Sequence, residues 1–229
     1  TTEEAPEPAP LQPPRLEDAE ADSAVEILAG RVGAEMGLST EELGDLATAA
    51  RFRDLGMATV PDEIITKLGP LTDEEWAVVR SHPQRSAEML GAGTAFDGAR
   101  EIIRANHEHL DGTGYPSGMS GAEIPTGARI LLVVESYVAM TEDRPHRPAR
   151  SARDAASQLL TDVDAGRFSR SEVDAVLAAT GQASLPAAST NPAGLTDREV
   201  EVLRLIARGR VNKQVAADLG ISAKTVGRH

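Results

Sequence analysis

The chain has 229 residues, of which 41% are hydrophobic, with a net charge of −13 and no cysteine. This length supports one sizeable core and a small second domain, and the lack of cysteine excludes disulfides and thiolate metal sites. No apolar run approaches the roughly 20 residues of a membrane-spanning helix and no signal peptide is visible, so we expect a cytoplasmic protein without membrane contact. The first residue is not Met, and the pattern at residue 229 looks unfinished, so a fragment of a longer protein is expected.

Helical periodicity begins after a proline-rich segment. Residues 1–14 contain five prolines and three glutamates, so residues 1–20 are predicted to be a disordered or extended linker. Apolar side chains at helical spacing from residue 22 onward predict a first helix that ends at Gly37. Ser39 and Glu42 form a predicted capping box for a second helix.

That second helix is expected to carry Arg53 and Asp54 at its C-terminal end, before an irregular stretch at residues 61–70. Thr72 and Glu75 form another predicted capping box. The next helix is predicted to begin at Ser81 as N-cap, with Pro83 in its first turn.

A predicted helix at residues 99–109 leads into the most unusual segment of the sequence. Residues 106–111 carry two imidazoles, two carboxylates and an amide, and a Gly-Thr-Gly-Tyr-Pro loop follows at residues 112–116. A helix end can fix reactive side chains while a rigid loop forms a wall against a ligand or partner. The alternative is a solvated helix end followed by an ordinary turn.

A strongly apolar helix is predicted at residues 128–140, with one carboxylate, Glu135, near its centre. A charge in such a helix must have a partner or face a cavity. Two further helices, at residues 151–163 and 171–179, complete an all-α domain of residues 21–180. Residues 181–194 are predicted to be a flexible linker.

Four predicted helices carry residues suited to binding a metal: Asp54, His82, His107 and Glu135. Helical bundles collect metal ligands from facing helices in this way. Imidazole together with carboxylate suits Fe, Mn or Zn.

Residues 22–179 resemble the HD-GYP domain, the family of metal-dependent cyclic di-GMP phosphodiesterases. The matching motifs lie at residues 69–76, 81–83, 107–116 and 141–148. The resemblance implies an HD-type helical bundle in which Gly114, Tyr115, Pro116, Arg144 and Arg147 contact a ligand or partner. Because this loop is associated in the family with docking of diguanylate cyclase domains, such a domain or a cyclic dinucleotide is the implied partner.

The sequence departs from the family at its metal ligands. Arg53 stands where the family has the His that precedes Asp54, and a guanidinium has no lone pair and stays charged. Asn106 replaces one His of a His-His-Glu motif, Met57 replaces a Lys near the phosphate, and Glu135 stands for an Asp. An early ligand of the family has no clear counterpart near residues 21–22.

These departures predict a degenerate pocket with no confidently assigned catalytic residue and with at most one Fe, Mn or Zn ion. Its predicted members are Arg53, Asp54, Asn106 and Glu108. Arg53 has two predicted roles: a closed ion-pair network with Asp54 and Glu135, which we favour, or a metal-free phosphate clamp with the arginines at 144 and 147.

Residues 195–229 carry a net charge of +3, which leaves −16 for the rest of the chain. Their pattern of helix, short helix, glycine turn and capped helix is typical of a helix-turn-helix, and it resembles the LuxR-type DNA-binding domain. Lys224, Thr225 and Arg228 are predicted to enter the major groove and Lys213 to contact a phosphate. The domain is incomplete at residue 229, and a homodimer is expected for a longer protein. The alternative is a small helical docking module.

The sequence therefore predicts an all-α protein: an HD-type helical bundle followed by a small helix-turn-helix domain. The preferred function is a DNA-binding transcriptional regulator whose degenerate HD-GYP-like domain senses a ligand or docks a partner. The competing function is a metal-dependent cyclic di-GMP phosphodiesterase tethered to a DNA-binding domain.

Overall fold

The computed structural model describes residues 19–67, 69–143 and 148–182, and in the C-terminal part residues 203, 205–207, 210, 214 and 215. The chain divides into two compact units, residues 1–184 and 185–229. The described residues form helices, turns and loops and no strand, which confirms the all-α prediction. None of the described helices is long and apolar enough to cross a membrane.

The first unit is a helical bundle with several short 3-10 turns. Its α-helices are α1 (Ala19–Glu35), α2 (Thr40–Phe52), α3 (Asp62–Ile65), α4 (Asp73–Arg80), α5 (His82–Met89), α6 (Asp97–Ala105), α7 (Thr126–Thr141), α8 (Ala152–Asp164) and α9 (Arg170–Ala179). The 3-10 turns are Leu55–Thr59, Thr94–Phe96 and Gly121–Glu123.

Helix α7 is the central helix, as its apolar sequence predicts. Ile130, Leu131, Val133 and Val134 are almost completely buried, and burial of one such side chain contributes about 1.5–3 kcal/mol. Helix α1 packs against α2, α7 and α9, and α5 and α2 both pack against α6. This arrangement holds the ends of α2, α5 and α6 together.

The helix starts were predicted well where a capping box is present. Ser39 with Glu42, and Thr72 with Glu75, form both reciprocal hydrogen bonds of a capping box. The prediction for Ser81 is wrong in one respect: it occupies the N-cap position of α5, but its hydroxyl donates to the Val78 carbonyl at 2.6 Å and caps no N–H.

Two helix ends and one short helix differ from the prediction. Helix α2 ends at Phe52, so Arg53 is its C-cap residue. The stretch predicted to be irregular at residues 61–70 contains the short helix α3. Helix α6 ends at Ala105, so the cluster at residues 106–111 lies in the following loop and not on the helix.

A buried ion pair that the sequence did not reveal joins α7 to α9. The Arg129 Nε lies 2.7 Å from the carboxylate of Glu172, whose side chain is 1% exposed. Arg129 also donates to the Ile124 carbonyl at 2.7 Å. The pair therefore fixes the first turns of the two helices to each other.

The second unit is described at only a few positions. Residues 203, 205–207, 214 and 215 are helical, and Val215 is fully buried. The predicted DNA contacts at 213, 224, 225 and 228 lie outside the described residues, as do most of the predicted linkers at residues 1–20 and 181–194. Two residues of the first predicted linker, Ala19 and Glu20, belong to α1.

Candidate metal centre

Asp54, His82 and His107 bring one carboxylate oxygen and two imidazole nitrogens within 4.8 Å of one another. The Nε2 of His82 lies 3.6 Å from the Asp54 carboxylate and 3.2 Å from the Nε2 of His107. The three residues come from the start of a 3-10 turn, the first position of α5 and the loop after α6. Such a donor set suits a borderline divalent metal ion.

The orientation of His82 favours metal binding. Its Nδ1 lies 2.8 Å from the Val79 carbonyl, and because a carbonyl only accepts, the proton resides on Nδ1. The lone pair of Nε2 therefore faces the triad.

A close contact between the 3-10 turn and α5 brings Asp54 to His82. The Ser86 hydroxyl donates to the Arg53 carbonyl at 2.6 Å and accepts the Gly56 N–H at 2.7 Å. A Cβ atom on Gly56 would lie 2.3 Å from the His82 carbonyl oxygen. The turn can lie directly on α5 only because residue 56 has no side chain.

The local electrostatics keep the imidazole of His107 neutral. Desolvation, with a further contribution from His82, lowers the pKa of His107 to about 3. Desolvation also raises the pKa of Asp54 above its usual value, against the opposing effect of Arg53. A neutral imidazole offers the lone pair that a metal ion requires.

Arg53 forms the predicted ion-pair network. Its side chain is buried, with Nε 2.7 Å from the Glu135 carboxylate and 3.2 Å from that of Asp54. The guanidinium also donates to the Ala50 carbonyl. Glu135 thus contacts Arg53, and the described metal-ligand cluster does not include it, which corrects the prediction of four ligands on four helices.

Two buried polar atoms beside the triad have no hydrogen-bond partner among the described residues: the Asn106 Oδ1 and the Tyr115 hydroxyl. The Asn106 side chain is fully buried, and its Nδ2 lies 3.5 Å from Glu135. The Tyr115 ring stacks on His107, with the ring centroids 4.8 Å apart. Unpaired buried polar atoms are costly and rare, and a bound ligand, ion or water is one way to satisfy them.

Glu108 is not part of this pocket, contrary to the prediction. Its carboxylate is 1% exposed and accepts the backbone N–H groups of Ser117, Gly118 and Met119 at 2.7–3.1 Å. Glu108 therefore holds the loop that follows Pro116, and its role is structural.

Gly114 allows the loop to fold back against the metal centre. A Cβ on Gly114 would lie 2.3 Å from the backbone nitrogen of His109 and 2.5 Å from the carbonyl oxygen of His107. The Tyr115 N–H donates to that carbonyl at 3.1 Å. The half-buried Tyr115 packs inward while Pro116 is exposed, so only part of the predicted Gly-Tyr-Pro face is available to a partner. The other predicted contacts, Arg144 and Arg147, lie outside the described residues.

Sequence reasoning missed Arg80. This exposed residue at the end of α4 places its guanidinium carbon 5.4 Å from the Trp76 ring centroid and 5.9 Å from that of Tyr115. The spacing of Trp76 and Arg80, four residues apart on one helix, is the only signal in the sequence. Desolvation, together with Glu135 and Asp54, raises the pKa of Tyr115, so its hydroxyl stays protonated.

Comparison with known proteins identifies relatives of this chain. Over 157 residues the chain is 36% identical to the cyclic di-GMP phosphodiesterase response regulator RpfG of Xanthomonas campestris, covering 68% of this chain and 41% of that protein. It is 32% identical to a cyclic di-GMP phosphodiesterase of Thermotoga maritima, covering 58% of this chain and 36% of that protein. A 3'3'-cGAMP-specific phosphodiesterase of Vibrio cholerae is 29% identical, over 62% of this chain and 33% of that protein. The chain thus spans less than half the length of these relatives.

A solved structure shares the fold. Bd1817, described as a HDG"Y"P protein from Bdellovibrio bacteriovorus, superimposes with a TM-score of 0.57 at 18% identity, over 71% of this chain and 52% of that chain. Residues 193–229 match the family of bacterial regulatory proteins of the luxR type, and residues 10–171 match the HD domain. The chain belongs to the HD domain family and carries a C-terminal LuxR-type DNA-binding domain.

Proposed function

We propose that this chain is a DNA-binding transcriptional regulator whose HD domain senses a ligand or docks a partner and does not hydrolyse cyclic dinucleotides. The observation that carries this proposal is the ion pairing of Arg53 with both Asp54 and Glu135 inside the metal pocket. This places a permanent cation at the position where the family pattern has a metal-ligating imidazole.

The consequence for catalysis follows from charge and lone pairs. Hydrolysis at a two-metal site depends on the ions that bind and activate water and stabilise both the attacking and the leaving oxygen. The guanidinium of Arg53 can neutralise Asp54 and Glu135, but it binds no metal. One Fe, Mn or Zn ion on Asp54, His82 and His107 is the most that this arrangement supports.

The C-terminal domain supplies the regulatory half of the proposal. LuxR-type domains bind DNA through a helix-turn-helix, and residues 195–229 are basic whereas the remainder of the chain is acidic. In this proposal Lys224, Thr225 and Arg228 contact base edges and Lys213 contacts a phosphate. In this proposal the protein acts in the cytoplasm as a homodimer.

Metal content and hydrolysis together test the proposal. After anaerobic purification, elemental analysis should give no more than one equivalent of Fe, Mn or Zn per chain, and cyclic di-GMP should remain intact on incubation. Two or more equivalents, or release of linear product, would contradict the catalytic part of the proposal. DNA binding is measured separately, by a mobility shift with promoter fragments.

The second candidate function is a metal-dependent cyclic dinucleotide phosphodiesterase tethered to DNA. It is favoured by the triad itself, which is assembled with the tautomer of His82 that a metal requires, and by the activity that the relatives' names carry. A diguanylate cyclase domain is a further candidate partner, which would bind the exposed part of the loop at residues 112–116. Pull-down with a purified cyclase domain, compared between the wild type and Pro116→Ala, tests that interaction.

A further inference from the structure

Arg80 is an exposed cation beside the metal centre that no described carboxylate neutralises. No ion pair is formed by Arg80 within residues 19–67, 69–143 and 148–182, although several other arginines of the unit do form one. Instead the guanidinium lies against the rings of Trp76 and Tyr115. Two aromatic faces restrict its motion and leave its N–H groups available.

The Arg80 side chain is connected to the triad through Tyr115. The Tyr115 ring stacks on His107, and its centroid lies 6.4 Å from that of His82. The Tyr115 hydroxyl is a buried donor without a hydrogen-bond partner among the described residues. The Oδ1 of the fully buried Asn106 is an acceptor that likewise has no described partner. The Tyr115 ring, which contacts both the Arg80 guanidinium and the His107 ring, therefore lies between this cation and the metal ligands.

A small apolar cluster holds Trp76, the ring on which the Arg80 guanidinium lies. Met57, Val60 and Val79 form a small buried cluster against which Trp76 packs. The uncharged side chain of Met57 is part of this cluster. Trp76, held by the cluster, in turn supports Arg80. A positive charge is thus presented from α4, while the 3-10 turn contributes none at residue 57.

We propose that Arg80 is an anion-binding residue of this site and that it contacts a phosphate group of a phosphodiester ligand seated beside the metal triad. This rests on the proposed function in one respect, namely that the HD domain receives such a ligand. The planar guanidinium can donate two parallel hydrogen bonds to a phosphate, and the aromatic rings orient it before the ligand arrives, which lowers the entropic cost of binding.

The test uses the full chain loaded with metal and two probes, cyclic di-GMP and inorganic phosphate, in calorimetric titrations. Arg80→Met removes the charge but keeps much of the apolar stem. Its affinity for cyclic di-GMP should fall about 10- to 100-fold, the range expected for the loss of charge-assisted hydrogen bonds. Arg80→Lys keeps the charge without the planar fork and should retain part of the affinity.

Arg153→Met is the matched control, because Arg153 is an exposed arginine on α8. It should leave both titrations unchanged. Wild-type affinity in Arg80→Met overturns the proposal, and so does the failure of metal-loaded wild-type protein to bind either probe. Elemental analysis of each variant separates the outcomes. Lost binding with an unaltered metal content assigns the defect to Arg80. A second metal equivalent would contradict the proposed function and not this inference.

Discussion

Arg53 places a permanent positive charge beside two carboxylates, Asp54 and Glu135, that could otherwise interact with a metal cation. Its guanidinium satisfies Glu135 and Asp54 at 2.7 and 3.2 Å, and the carboxylates that a metal ion would neutralise are already neutralised. The buried position makes this interaction resistant to salt, because screening acts mainly on exposed charges. In the proposed function, this side chain is what limits the number of metal ions at the site.

Replacement of Arg53 by histidine should raise the metal content from at most one equivalent towards two. The imidazole supplies a lone pair, and Glu135 and Asp54 lose the cation that now occupies them. Elemental analysis after anaerobic purification measures the change, and circular dichroism verifies the fold. Arg53→Lys keeps the positive charge and should stay at or below one equivalent. An unchanged metal content in Arg53→His would show that Arg53 is not what limits the site.

The individual residues of the site differ in how far sequence could predict them. The ion pair of Arg53 was predictable, because two carboxylates were expected near one buried arginine and buried charges seek partners. Glu108 was misassigned, since nothing in the sequence distinguishes a carboxylate that faces a pocket from one that binds three backbone N–H groups. Arg80 was missed because its contact with Tyr115 joins two segments that only the tertiary fold brings together.

The loop at residues 112–116 depends on a close approach of backbone to backbone. Gly114→Ala would place a Cβ 2.3 Å from the backbone nitrogen of His109. The loop must then shift, and we expect the Tyr115 ring to lose its stacking on His107. We expect a loss of about 1–3 kcal/mol in the free energy of unfolding, measured by urea denaturation, together with weaker metal retention. Gly93→Ala is the control: its Cβ meets nothing within 4 Å, and its φ of 171° is extended. Equal stability of the two variants would contradict the assigned role of Gly114.

The junction of α7 and α9 predicts a pH dependence of stability. Desolvation opposes ionisation of Glu172, but hydrogen bonds from Ser169, Ser171 and Arg129 prevail and hold its pKa below the usual value. Because the folded-state pKa is the lower one, the unfolded chain takes up more protons as the pH falls. The stability from this group is therefore present above the ordinary glutamate pKa of about 4.3 and is lost as the pH falls through the folded-state pKa.

Glu172→Gln should accordingly reduce the free energy of unfolding by about 3 kcal/mol near neutral pH, since it breaks a buried pair. The difference from wild type should shrink below about pH 4. Urea denaturation over a pH series measures it. Asp174→Asn removes a partner of the exposed Arg170 pair and should change stability by less than about 1 kcal/mol. A difference for Glu172→Gln that is constant with pH would contradict the assignment.

The elements as a group show where local sequence determines structure. Helix starts marked by capping boxes were predicted to the residue, because the signal is local and each hydrogen bond lies within four residues. The end of α6 was predicted four residues too late, since apolar periodicity alone does not mark a C-terminus. There the backbone leaves the helix at Asn106 and the Glu108 N–H donates to the Ala105 carbonyl.

The two units of the molecule carry opposite charge. Residues 195–229 have a net charge of +3 and the rest of the chain −16, so DNA is expected to contact only the C-terminal unit. Lys224→Ala and Arg228→Ala should each weaken DNA binding, and Lys213→Ala, which removes the predicted phosphate contact, should reduce the slope of log K against log salt by about 1. Fluorescence anisotropy at several salt concentrations measures both effects. Unchanged binding in all three variants would place the DNA contacts elsewhere.

A regulator built from these two units should couple ligand binding to DNA binding. A ligand shifts the protein between states only through a difference in its affinity for them. If the HD domain is the sensor, saturating cyclic di-GMP should change the affinity for DNA by a factor of about 5 to 150, the usual range of allosteric coupling. Reciprocity requires that saturating DNA change the affinity for cyclic di-GMP by the same factor.

Both affinities can be measured on one preparation, by anisotropy for DNA and by calorimetry for the dinucleotide. Arg80→Met should shift the dinucleotide concentration needed for the effect without altering DNA affinity in its absence, because Arg80 belongs to the HD unit. Arg153→Met should behave as wild type in both assays. DNA affinity that is unchanged at saturating dinucleotide would rule out sensing of this ligand. Docking of a protein partner on the exposed part of the loop at residues 112–116 would then be the proposed role to test next.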